Sequence, residues 1–183
     1  MLKKAILGIL VLLVIAVAAL IGVVAMQPDE FSVIRDATFN APPERIFEQV
    51  NDFHKWQAWS PWAKIDPAMK TTYSGPATGV GSSYAWTGNS EVGEGKMTIS
   101  ESKPNEQIKI DLDFIKPFEA KNVTSFTFKP DGGKTTVTWK MSGKKNFMMK
   151  AFGMVMDMDK VVGGDFEKGL AQLKPVVESP AVQ

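Results

Sequence analysis

Ile108-Lys109-Ile110-Asp111-Leu112-Asp113-Phe114 is the stretch from which the fold is read. Apolar and charged side chains alternate throughout it, so one face of an extended strand is buried and the other meets water. The same period recurs downstream. Thr124, Phe126 and Phe128 mark a second strand. Val137, Trp139 and Met141, set against Thr136, Thr138 and Lys140, mark a third. Pro130-Asp131-Gly132-Gly133 joins the last two as a hairpin turn. Upstream, Gly75, Gly79, Gly81, Gly88, Gly93 and Gly95 crowd around Tyr84-Ala85-Trp86. That density predicts bulges and tight bends, as a strongly curved antiparallel sheet requires.

The flanks complete the pattern. Residues 31–39 (FSVIRDATF) read as a first strand, and Asn40-Ala41-Pro42-Pro43-Glu44 opens a short helix with Ile46, Phe47 and Val50 on one face. Asn51 to Trp59 reads as a second short helix or turn, N-capped by Asp52 and stopped at Ser60-Pro61. Near the C-terminus, Met148, Phe152, Val155, Val162, Phe166, Leu170 and Leu173 form one stripe. They predict a single long helix from about Phe147 to Leu173, kinked at Gly163-Gly164 and recapped by Asp165. A sheet with one apolar face needs a cover, and this helix is the only element large enough. The expected class is therefore α+β: about seven antiparallel strands curved around a long C-terminal helix, with a cavity between them.

Residues 5–26 carry no charge and are almost all Leu, Ile, Val or Ala. As a helix this run extends roughly 33 Å at about 1.5 Å per residue, enough to cross a hydrocarbon core of about 30 Å. Lys3 and Lys4 precede it, and the first charges after it are Asp29 and Glu30. The positive-inside tendency places the N-terminus in the cytoplasm and the rest of the chain across the membrane. A cleaved signal peptide is the rival reading, with Val23-Val24-Ala25 as the cleavage site and the domain exported in soluble form. The run exceeds the usual 7–15 residues of a signal core, and this favours a retained anchor. The expected organisation is an anchor over 1–26, a linker over 27–30, one domain over 31–174 and a tail over 175–183.

The chain has no cysteine. Disulfides, thiolate nucleophiles, cysteine-based metal sites and a lipoprotein anchor are thereby excluded. With Lys3 and Lys4 set aside, 19 Lys and Arg face 20 Asp and Glu, a net charge of −1. No basic stripe for a nucleic acid is present, and no nucleic-acid partner is expected.

Four motifs in order carry a resemblance. Asn40-Ala-Pro-Pro-Glu44 opens the first helix, and Trp56-x-x-Trp59-Ser-Pro-Trp62 follows it. Gly79-x-Gly81-x-x-Tyr84-x-Trp86-x-Gly88 leads into Gly93-x-Gly95. Met156-Asp-Met-Asp-Lys160 runs on through Asp165-Phe-Glu-Lys-Gly-Leu170. Over residues 31–174 the chain resembles the START-like, polyketide-cyclase-like superfamily with the helix-grip fold, often labelled SRPBCC. The resemblance implies that fold and a cavity for hydrophobic molecules. Members include lipid and sterol carriers, hormone binders and aromatic-ring cyclases, so fold alone does not fix function.

No catalytic constellation accompanies the motifs. His54 is the only histidine and lies in Asp52-Phe-His-Lys-Trp56, without a nucleophile motif. One histidine with scattered carboxylates is a poor start for a metal, and no metal or cofactor is expected. Half of the ten methionines fall between Met148 and Met158, where they serve the core of the long helix, mould to varied ligands or touch lipid. Arg35 sits on a strand whose faces are both mixed, so alternation leaves its direction open. Asn122-Val-Thr124 matches a glycosylation sequon.

The first functional reading is a membrane-anchored binding domain whose partner is a hydrophobic small molecule or lipid. Its cavity candidates are Trp59, Trp62, Tyr84, Trp86, Met97, Phe114, Phe126, Trp139, Phe152 and Met156, taken from the inward strand faces and the helix stripe. The alternatives are a cyclase or dehydratase in which Tyr84 or a buried carboxylate moves protons, and a structural or interaction role at the membrane.

Overall fold

The structure is a computed structural model that describes residues 2–179. The apolar run is a helix, α1 (Leu2–Ala25). Strand β1 (Glu30–Phe39) follows, then α2 (Pro43–Val50) and a 3-10 turn at Phe53–Ala58. Asp52 caps that turn by accepting a hydrogen bond from the His54 backbone N–H at 2.9 Å. Six strands come next: β2 (Lys70–Ser74), β3 (Ser83–Thr87), β4 (Glu94–Lys103), β5 (Gln107–Lys116), β6 (Ala120–Asp131) and β7 (Lys134–Lys144). Two helices, α3 (Phe147–Gly153) and α4 (Met158–Glu178), end the described chain.

All seven strands form one antiparallel sheet in the order β1-β7-β6-β5-β4-β3-β2. The β6–β7 hairpin closes through Gly132 and Gly133, both at positive φ, the conformation a two-residue turn between twisted strands demands. Strand β4 carries register shifts at Glu94/Gly95 and Ile99/Glu101, which bend the sheet into a grip. The alternation of β5 puts Ile108, Ile110 and Leu112 inward, and β7 does the same with Val137, Trp139 and Met141. On them lie Phe166, Leu170 and Leu173 of α4, and the edge strand β1 adds Val33 and Phe39.

The C-terminal helical segment differs from expectation. It breaks at Met154–Asp157, not at Gly163-Gly164. Asn146 caps α3 through the Met149 N–H (2.8 Å), and Asp157 caps α4 through the Lys160 N–H (3.3 Å), so a new helix starts where the single one was expected to run on. Gly163 stays helical and serves another purpose: an added Cβ there would lie 2.0 Å from Arg35 Nη2. The guanidinium occupies that space. Arg35 points inward from β1 and pairs with Asp159 at 3.0 Å and Glu167 at 2.5 Å, latching the edge strand to α4. These hydrogen-bonded carboxylates hold its pKa above the ordinary arginine range.

The expected tail is also partly helix. α4 continues through Pro175 to Glu178, because Val177 is buried in the core. Glu178 also accepts the Asn40 N–H at 2.7 Å, and Arg45 donates to the Ser179 carbonyl at 2.7 Å. Residues 180–183 of that tail lie outside the described residues. The sequon fails sterically: Asn122 is buried in β6 against Gly143, with no room for a glycan.

Candidate functional site

A cavity of about 220 Å3 opens between the sheet and α4. Its floor is the inward face of six adjacent strands: Tyr73 of β2, Tyr84 and Trp86 of β3, Met97 of β4, Leu112 and Phe114 of β5, Thr124 of β6, and Trp139 and Met141 of β7. Val162 and Phe166 of α4 close it above, and Phe53, Trp56 and Trp62 close the side, carried there by the 3-10 turn and the loop after it. Among the described residues, Glu91 and Asp165 are the only carboxylates on its wall, and no lysine or arginine lines it.

The wall is held in place by close fits and by committed hydrogen bonds. Trp86 lies across Gly95, its register partner, where an added Cβ would come within 2.5 Å of the ring. Its indole N–H donates to the Val92 carbonyl at 3.0 Å. Trp139 stacks on Phe166 at 4.1 Å between centroids and lies against Gly169 of α4. Its N–H donates to Thr124 Oγ1 at 2.9 Å, and that hydroxyl donates on to the Lys140 carbonyl at 3.1 Å. Trp56 donates to the Val50 carbonyl (3.0 Å) and Trp59 to that of Gln49 (3.3 Å). Among the described residues only Trp62 has an indole N–H without a protein acceptor.

The rim is tied down by one buried carboxylate. Asp66 accepts the Ala68 N–H at 2.9 Å with one oxygen and the Asn89 N–H at 2.7 Å with the other. The Asn89 side chain in turn accepts the N–H groups of Glu91 (2.9 Å) and Val92 (3.3 Å). The loop before β2 and the β3–β4 turn are thereby one unit.

Tyr84 is a half-buried acid–base group in the wall. Burial, and to a lesser extent the neighbouring Tyr73, push its phenol up to about 12, so at neutral pH it is a neutral hydrogen-bonding group. His54 lies outside the cavity. Its ring stacks on Tyr73 at 4.0 Å, and Nδ1 sits 3.0 Å from Asp52 Oδ1 at a largely exposed position. Among the described residues no three His, Asp or Glu side chains cluster as metal ligands would.

Of the ten residues named from sequence, Trp62, Tyr84, Trp86, Met97, Phe114 and Trp139 stand on the cavity wall. Trp59 and Phe126 are fully buried one layer behind it, with ring centroids 6.2 Å apart, and do not line the space. Phe152 and Met156 are outside it altogether. The break at Met154–Asp157 leaves Phe152 on α3 against Phe118 (5.7 Å) and Met156 in the connector, both exposed. Among the larger wall residues, sequence reasoning missed Phe53, Trp56, Tyr73, Leu112, Met141, Val162 and Phe166. Leu112 and Met141 sit two residues from Phe114 and Trp139 on the same strand face, so the alternation itself carried the signal.

Comparison with solved structures agrees with the fold. A structural-genomics protein from Chromobacterium violaceum shares 16% identity over 81% of this chain and 98% of its own, with a TM-score of 0.60. The Aha1 dimer from Colwellia psychrerythraea shares 17% over 81% and 96%, at 0.58. A Staphylococcus aureus protein of unknown function shares 12% over 83% and 96%, at 0.62. No curated protein matches the chain. The model of the family described as "Polyketide cyclase / dehydrase and lipid transport" matches residues 30–178, the sheet and helices built around this cavity, and the chain belongs to that family.

Proposed function

We propose that the chain is a membrane-tethered binding protein that holds a hydrophobic small molecule or part of a lipid between the sheet and α4. The observation that carries this reading is the wall: about 220 Å3 enclosed by aromatic, methionine and aliphatic side chains, with most of its indole N–H groups already committed. Such a surface offers area and shape, and lacks the nucleophile–base geometry that chemistry needs. A phenol held neutral serves poorly as a base at neutral pH. The volume lies below the roughly 300–1,000 Å3 of drug-sized sites, which suits one ring system or a single short chain.

The tether is α1. Ile6–Ala25 is long and apolar enough to cross a membrane, and none of its membrane-length window is buried against the domain. Lys3 and Lys4 ahead of it favour a cytoplasmic N-terminus with the domain on the far side. Native mass spectrometry of the full chain released from membranes tests the cavity reading. One stoichiometric apolar adduct is expected, displaced by the neutral fluorophore N-phenyl-1-naphthylamine and lost in Val162→Phe, which puts a ring into the space. A chain that is empty and takes up neither the fluorophore nor any component of a lipid extract refutes it.

A further inference from the structure

Among the described residues, half of the exposed large apolar side chains outside α1 lie in one place. Helix α3 buries none of its residues in the domain. Phe147, Met148 and Phe152 on it, and Met154, Val155 and Met156 after it, are all exposed, Val155 to 86%. Phe118 of the β5–β6 loop joins them through its contact with Phe152. A continuous apolar surface of this kind on one side of a domain marks an interaction site.

Its position identifies the occupant. α3 packs against the end of α1: Lys150 Nζ lies 2.5 Å from Asp29 Oδ1 and donates to the Ala25 carbonyl at 3.3 Å, while Val24 is buried. Ala25 is the last residue of the apolar span. The exposed Phe and Met side chains therefore begin where α1 leaves the hydrocarbon and continue its apolar surface sideways. Antiparallel pairing brings the start of β1, the end of β7, the start of β6, the end of β5, the start of β4 and the end of β3 to this same end of the sheet. Trp86, Val92 and Phe114 of the cavity wall lie there too.

We infer that Phe147–Met156, with Phe118, is an interfacial element that beds into the bilayer crossed by α1, holding the cavity end of the domain against a phospholipid surface. Segments of this type sink their apolar side chains about 5–10 Å into the headgroup and acyl boundary. The short linker after α1 and the Lys150–Asp29 pair fix α3 at that depth. A hydrophobic ligand then passes between bilayer and cavity without crossing bulk water. This inference rests on the reading of α1 as a retained spanning helix.

The cysteine-free chain allows a direct test. Spin labels are placed singly through Ile15→Cys, Val155→Cys and Lys134→Cys in the full chain, reconstituted in phosphatidylcholine vesicles. Depth is read from collision with oxygen against a water-soluble nickel chelate. Expected is a deep label at position 15, a lipid-immersed label at 155 with oxygen favoured several-fold, and a water-exposed label at 134 on the far hairpin. If position 15 is deep and 155 behaves as 134 does, the interfacial element is refuted while the anchor stands. If position 15 is itself aqueous, the spanning reading falls and takes this inference with it.

Discussion

Gly95→Ala strikes a close fit in the cavity wall. The new Cβ would lie 2.5 Å from Cζ2 and Cη2 of Trp86 and 2.7 Å from the Asp113 carbonyl oxygen, where about 3.5–4.0 Å is comfortable. The indole is confined: Tyr84 flanks it at 6.0 Å, Phe114 meets it edge-on at 5.9 Å, and Val92 holds its N–H. Its free direction is into the cavity. Overpacking of this kind costs about 1–3 kcal/mol, and losing the indole hydrogen bond adds about 1 kcal/mol. At about 2–4 °C per kcal/mol for a domain of this size, thermal unfolding should move down by roughly 4–16 °C. Circular dichroism melts measure it, and displacement of the ring into the cavity should abolish uptake of an apolar probe in the same sample. Trp86→Leu in the Gly95→Ala background removes the ring clash and leaves the carbonyl clash, so the double variant should recover about 1 kcal/mol relative to additivity. A Gly95→Ala chain that melts within two degrees of wild type, or a Trp86→Leu that adds its full cost, refutes the account of the wall.

Other consequences follow from single contacts. Thr124→Val strips the acceptor from the buried Trp139 N–H and should cost about 1–3 kcal/mol in urea unfolding, whereas Thr124→Ser keeps the hydroxyl and most of the stability. Tyr84 ionises near 12 when folded and near 10 when unfolded, so its contribution is complete below pH 10 and is lost as pH rises from 10 to 12. Tyr84→Phe should flatten stability over that window, and an unchanged alkaline limb would remove the burial argument. Gly163→Ala should be more favourable in an Arg35→Ala background than in wild type, because the guanidinium fills the Cβ space and its removal frees a helix-propensity gain of about 1 kcal/mol. With Glu91 and Asp165 on the wall and no cation, a neutral fluorophore should bind more tightly than its carboxylate analogue. Asp165→Asn should narrow that gap, and equal affinities in wild type would contradict the electrostatic reading.

The sheet was legible because period two is a strict physical signal. Where Ile108, Ile110 and Leu112 alternate with charges, there is only one way to bury a face, and the six candidates that stand on the wall come from strands or from the tryptophan loop beside them. The failures came from the helical stripe. Periodicity carries Phe152 and Met156 straight into Val162, yet the caps at Asn146 and Asp157 divide the segment, and the stripe on α3 faces away from the core. Gly163-Gly164 misled for a related reason. A helical glycine reads as a breaker when it is in fact the space for an arginine from a distant strand. That long-range partner has no local signature. Trp59 and Phe126 erred by one layer only, since burial and cavity exposure look alike in sequence.

The cavity also bears on why its wall is built so stiffly. A closed void of 220 Å3 would cost at most about 5 kcal/mol at about 24 cal/mol per Å3, a large part of the roughly 5–15 kcal/mol that separates folded from unfolded chains. No disulfide offsets that cost, because the chain has no cysteine. Collapse would recover part of it, and the side chains that could collapse are the large aromatics. Three of them are restrained: Trp86 by Gly95 and Val92, Trp139 by Phe166, Gly169 and Thr124, Trp56 by Val50. The space is therefore maintained by specific contacts and is not a packing accident. A wall held open before binding spares the ligand the cost of ordering it, which is how a small apolar site without charge partners reaches useful affinity.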